Sequence, residues 1–102
     1  MKIYIAGPIT GVEGYKERFD SAERLLQEQG HMTMNPAILP AGFEHHEYMK
    51  ICFSMVDVCE AVVMLSGWER SKGAEMEYQR ALEKRKKIGY HDPGTKKVLW
   101  LK

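Results

Sequence analysis

The passage that most constrains this chain runs from Ala61-Val62-Val63-Met64-Leu65 into Gly67-Trp68-Glu69-Arg70-Ser71-Lys72-Gly73-Ala74-Glu75-Met76-Glu77. Five uninterrupted apolar residues read as a strand buried on both faces, and such strands lie in the middle of parallel sheets. A glycine-containing loop follows, and then a strongly helical segment. A central strand thus delivers a loop to the start of a helix, which is where open α/β sheets bind ligands. This loop brings a hydroxyl, small residues that permit close backbone approach, and three carboxylates at Glu69, Glu75 and Glu77. The combination suits chemistry on a polar small molecule, including a phosphorylated one.

The rest of the chain alternates in the same way. Lys2–Ala6 is apolar and β-prone, and Gly7-Pro8-Ile9-Thr10-Gly11 ends it in a loop. From Tyr15 to Gln29, Phe19, Ala22, Leu25 and Leu26 fall on one helical face opposite charged residues, and Gly30 closes the helix. His31–Asn35 reads as a second strand stopped by Pro36. Glu44 to Val58 reads as a second helix with a stripe of Tyr48, Ile51, Cys52, Met55 and Cys59. The apolar strand spans Glu60–Leu65, and Ser71 or a neighbour caps a third helix reaching to Lys86. Ile88–Tyr90 and Lys97–Leu101 are further strands around the turn Asp92-Pro93-Gly94. Alternating β and α elements imply a mainly parallel sheet of four to five strands with helices on both faces, a flavodoxin-like or Rossmann-like three-layer sandwich. In a 2-1-3-4 strand order, the Gly7–Gly11 and Gly67–Glu77 loops flank one crevice.

At 102 residues with 44% apolar content, the chain reads as one domain over 1–102 with a thin core, so a homo-oligomer is expected. A formal charge of +1 gives no footprint for a nucleic-acid polymer. The run Lys84-Arg85-Lys86-Lys87 reads as a complement to a helix C-terminus. Met1-Lys2 leads straight into a strand rather than a leader, and no run approaches the roughly 20 residues needed to cross a membrane. Cys52 and Cys59, seven apart in a helix, sit about 10 Å apart along its axis, too far for a disulfide. They read as reduced thiols in a cytoplasmic protein, and no spacing matches a metal site.

Several residues could carry chemistry, each beside a plainer role. The two glycines of Gly7–Gly11 could let backbone N–H groups hold an anion, or could simply make a tight turn. Glu77, about one turn into the third helix, could act at an anomeric carbon or merely complement the helix dipole. Glu75, two residues earlier, faces elsewhere. Ser71 could cap the helix or join its N–H groups around a phosphate. Trp68 could stack on a base or cover the sheet end. Tyr4, Asn35, His45, His46, Glu47, Tyr48 and Asp57 are looser candidates. Asp57 stands out because a negative charge near a helix C-terminus is unfavourable.

Tyr4-Ile5-Ala6-Gly7-Pro8, together with Gly73-Ala74-Glu75-Met76-Glu77 and Ala81, resembles the nucleoside 2-deoxyribosyltransferase superfamily. The Gly67–Ala74 stretch is similar to short bacterial and phage domains of unassigned function within it. The resemblance implies that Glu77 is the nucleophile that takes a deoxyribosyl group from a base, with a second base or water as acceptor, and that no metal or organic cofactor is needed. It implies that Ser71 helps hold a 5′-phosphate, as in the deoxynucleoside 5′-monophosphate N-glycosidase branch. It also implies that Gly7, Pro8, Ile9 and Thr10, with Gly73 and Ala74, line the sugar and phosphate site. The chain departs from the family at Gln79, where the pattern has glycine, and at Thr10, where that branch has arginine. The family's second catalytic acid falls nearest Cys52, with Asp57, Glu47 or His46 left to compensate. The expected substrate is a small-molecule nucleoside or nucleotide, and a non-catalytic nucleotide- or nucleotide-sugar-binding module is the alternative.

Overall fold

In the computed structural model, which describes residues 1–101, the apolar run forms β3 (Ala61–Met64) and every one of its residues is buried. β3 pairs in parallel with β1 (Lys2–Ala6) on one side and with β4 (Lys87–Asp92) on the other. β2 (Met32–Met34) adds in parallel outside β1, and β5 (Lys97–Trp100) adds antiparallel outside β4. The sheet order is therefore β2-β1-β3-β4-β5, with the expected 2-1-3-4 core and a hairpin added at its edge. At that hairpin Gly89 faces Trp100, and a Cβ there would sit 2.7 Å from Val98 Cγ1.

The period-2 alternation of the central strands divides the core in two. Ile3, Ile5, Ala61 and Val63 face α1 (Tyr15–Glu28) through Phe19, Ala22 and Leu26. Tyr4, Ala6, Val62 and Met64 face α2 (His45–Val58) and α3 (Lys72–Glu83) through Cys52, Val56, Ala74 and Ala81. The result is the expected three-layer α/β sandwich. Truncating one of the larger fully buried side chains, such as Leu26 or Phe19, to Ala costs on the order of 2–5 kcal/mol.

Helix ends follow local chemistry. α1 stops because Gly30 adopts φ +91°, which lets the His31 N–H reach the Leu26 carbonyl. α3 stops at Glu83 rather than Lys86, because Arg85 adopts φ +56° and the Lys86 N–H returns to the Ala81 carbonyl. The basic run therefore lies in a turn and the start of β4 rather than inside the helix. The stripe of α2 is also rotated from the expected one. Met49, Cys52 and Val56 are buried, whereas Ile51 is 39% exposed. The helix packs on β1 and α3 together, and this selects the 49-52-56 face.

Candidate active site

The carboxyl ends of β1 and β3 open on a cavity of about 290 Å³ between the loop after β1, the segment after β2, and the first turns of α2 and α3. Glu77 lines it. Its side chain is only 6% exposed, and the Tyr4 hydroxyl donates to Glu77 Oε2 over 2.8 Å. The sheet period explains the pairing, since Tyr4 lies on the strand face that looks toward α2 and α3. Cys52, on the facing turn of α2, completes a buried polar cluster with them.

Burial is the dominant electrostatic fact here. It pushes the Glu77 carboxyl up to about 7, and hydrogen bonds from Tyr4 and the Cys52 thiol pull it partly back. Burial and the adjacent Glu77 push the Cys52 thiol up to about 11 and the Tyr4 phenol well above its ordinary value. No Lys or Arg lines the cavity, so no fixed cation relieves the carboxylate. Glu77 is the only carboxylate along these walls among the described residues.

The same wall continues back to the entry of α3. Ser71 Oγ accepts from the Ala74 N–H at 3.2 Å, so Ser71 is the N-cap. The N–H groups of Lys72 and Gly73 fall in the first turn and have no intrahelical partner. Gly73 faces inward, where an added Cβ would lie 3.4 Å from Met49 Sδ and 3.6 Å from His45 Cε1. Gly7 has a packing reason for lacking a side chain, because a Cβ there would come within 2.9 Å of Leu65 Cβ.

Of the residues singled out in the sequence, Tyr4, Gly7, Ile9, Thr10, Ser71, Gly73, Ala74 and Glu77 all line this cavity. Pro8 lines an adjoining one. Three others stand elsewhere. Asn35 is 3% exposed, but its Oδ1 caps the 3₁₀ turn Pro36–Ile38 through the Ala37 N–H, and its Nδ2 donates to Asp20 and Glu23 on α1. Trp68 stacks on Tyr78 with ring centroids 4.4 Å apart, so the ring covers the sheet end. Asp57 sits at the far end of α2, paired with Arg80 at 2.6 Å on the surface. Cys52 is the last α2 residue on the cavity, and Asp57 lies five residues further along the helix, roughly 7.5 Å down its axis and on the surface. Among the looser candidates, Glu47 accepts from the Glu44 N–H at the start of α2, and His46 is exposed.

The wall that the sequence reading missed is the segment from Pro36 to Phe43. It supplies Leu39, Pro40 and Phe43, and Tyr15, Tyr48 and Met49 extend the same apolar lining. The Tyr48 hydroxyl donates to the Pro40 carbonyl and pins this segment to α2. Its signal was present: Leu39 and Phe43 are apolar residues in a loop that no helix or strand accounts for. Among the described residues, no three His, Cys, Asp or Glu side chains gather as metal ligands do. No helix among them is long and apolar enough to cross a membrane.

Among the solved structures that share this fold are two named for nucleoside chemistry. The CMP N-glycosidase of Clostridium botulinum aligns with a TM-score of 0.65 at 20% identity, over 86% of this chain and 68% of that one. The 2-deoxyribosyltransferase of Bacillus psychrosaccharolyticus aligns with a TM-score of 0.68 at 20% identity, over 91% and 73% respectively. The resemblance seen in the Tyr4–Pro8 and Gly73–Glu77 motifs therefore holds at the level of fold. No curated protein matches the sequence. The model of the family described as a domain of unknown function, DUF4406, matches residues 1–90, and the chain belongs to that family.

Proposed function

We propose that this protein cleaves or transfers the N-glycosidic bond of a nucleoside or its 5′-monophosphate, with Glu77 as nucleophile. The observation that carries the reading is a buried carboxylate, held by Tyr4, on the wall of an apolar cavity that reaches the Ser71-capped entry of α3. The apolar and aromatic side chains of the Pro36–Met49 region suit a base, and the α3 entry with Ser71 suits a phosphate. The activities named for the two structures of the same fold are of this class.

In this reading the ionised Glu77 forms a bond to the anomeric carbon as the bond from that carbon to the base nitrogen breaks. The bonding pair leaves with the base, which takes a proton from water. Water or a second base then attacks the same carbon and releases Glu77. Tyr4 fixes the carboxylate rotamer, and burial against the largely apolar wall keeps it poorly solvated and reactive. The reaction draws on no metal or organic cofactor. A second copy of the chain closing the open side of the cavity belongs to the same reading, and light scattering on the purified protein measures it.

The test incubates the protein with each nucleoside and 5′-monophosphate and follows free base by chromatography. Base release by the wild type, absent in a folded Glu77→Gln variant, is the expected result. Equal release by both proteins would remove Glu77 from the mechanism. A second reading, a non-catalytic nucleotide-binding module, draws on the absence of a partner carboxylate from the cavity walls. Saturable binding of nucleotides with no base release from any of them would favour it.

A further inference from the structure

A second cavity, of about 580 Å³, adjoins the first. Thr10, His45, Ser71 and Gly73 line both, so the two spaces meet along the α3 entry and the loop after β1. Their chemistry differs sharply. The first holds one carboxylate and no Lys or Arg. The second is lined by Arg18, Arg70 and Lys72 and by no carboxylate at all. Three cations facing one space, without an acid, stand apart in a chain whose net charge is only +1. Arg18 uses one donor on the Ser66 carbonyl at 2.8 Å, and a guanidinium carries five.

Building on the nucleotide reading, we propose that this second cavity takes the phosphate beyond the first, so that the preferred ligand is a nucleoside 5′-diphosphate rather than a monophosphate. A base and sugar in the first cavity bring the first phosphate to the shared wall, at Ser71 and the free N–H groups of the α3 turn. That phosphate does not account for Arg18, Arg70 and Lys72, which line the space beyond the wall. A second phosphate entering there meets guanidinium forks and an ammonium, the groups that bind phosphate oxygens most strongly. The same diphosphate chemistry occurs in a free nucleoside diphosphate and in a diphosphate-linked conjugate such as a dinucleotide, and the openness of the cavity to solvent admits both.

Isothermal titration of Glu77→Gln, which holds ligand without turnover, measures the affinities of one nucleoside, its 5′-monophosphate, its 5′-diphosphate and a dinucleoside diphosphate. Titration of inorganic diphosphate into the wild type probes the second cavity alone. The expected result is at least about tenfold tighter binding of the diphosphate than of the monophosphate. That ratio should fall toward 1 in Arg70→Ala/Lys72→Ala and shrink with added salt. A dinucleoside diphosphate binding as well as the free diphosphate identifies a conjugate as an acceptable source, and one binding only as well as the monophosphate restricts the site to free diphosphates. A monophosphate that matches the diphosphate overturns the inference while leaving the nucleotide reading intact. Inorganic diphosphate bound in an Arg70- and Lys72-dependent way, with no nucleotide bound, upholds the cationic cavity and overturns the nucleotide reading. Binding of neither overturns both.

Discussion

Two carboxylates at opposite ends of the sheet experience opposite physics. Glu77, at the carboxyl end, is buried, has no cation within reach along its cavity, and is pushed up to about 7. Asp57, at the amino end, is exposed, lies against Arg80 with Lys84 and Lys86 nearby, and is held below the ordinary carboxylate range by the Arg80 hydrogen bonds. Glu60, at the same end, is likewise lowered by the Lys2 N–H. The amino end thus compensates each charge and gains a little stability from it. At the carboxyl end Glu77 meets hydrogen-bond donors but no cation, and burial there works against its charge. Perturbed carboxyls of this kind cluster at functional sites, whereas exposed ion pairs are common on any surface, which is why the proposal rests on Glu77.

The comparison breaks most directly at Glu77. Glu77→Gln keeps the shape and the Tyr4 contact but cannot attack carbon, and base release should fall by at least roughly 10³-fold. Circular dichroism on the same preparation checks that the fold survives.

Thermal unfolding sharpens the contrast without needing a substrate. The folded pKa of Glu77 is raised above its unfolded value near 4.5, so its contribution is fully present below pH 4.5 and is lost as pH rises through about 7. The loss is on the order of 3 kcal/mol for a shift of this size. Glu77→Gln should therefore gain Tm over the wild type as pH goes from 5 to 8. A constant difference across that range would mean that Glu77 is not desolvated.

Tyr4→Phe removes a donor from the ionised carboxylate. The acid limb of the pH–rate profile, set by ionisation of Glu77 near 7, should move to higher pH, and turnover at pH 7 should fall about 10- to 100-fold. A limb that stays in place would assign Tyr4 a packing role only.

Asp57→Ala should do least. It separates an exposed pair, so base release is expected to stay at the wild-type level and Tm to drop by no more than a few degrees. A large loss of activity would return Asp57 to the mechanism.

Much of the site was legible in the sequence because it rests on local rules. The apolar run Ala61–Leu65 announces a central strand, the Ser71 cap announces the α3 entry, and a two-residue offset on a helix turns Glu75 to a different face from Glu77. These depend on neighbours within a few residues. The oddity of Asp57, an acid near a helix C-terminus, is answered by Arg80, 23 positions away and beyond the reach of local rules. For Asn35 and Trp68 the sequence left a structural and a binding role side by side. Their partners, Asp20 and Glu23 for one and Tyr78 for the other, come from other elements.

The sequence by itself determined the alternation of strands and helices, the centre of the sheet and the loop that carries Ser71 and Glu77, because hydrophobic period, glycine and capping chemistry act over one or two turns. Only the tertiary structure decided that Tyr4 and Cys52 close around Glu77, that the Pro36–Phe43 segment walls the cavity, and that Arg18, Arg70 and Lys72 share a space beyond it. Those facts depend on how strands 1 and 3 lie side by side and how two helices pack above them. Burial, which sets the Glu77 carboxyl near neutrality, is a property of that packing and of no stretch of sequence alone.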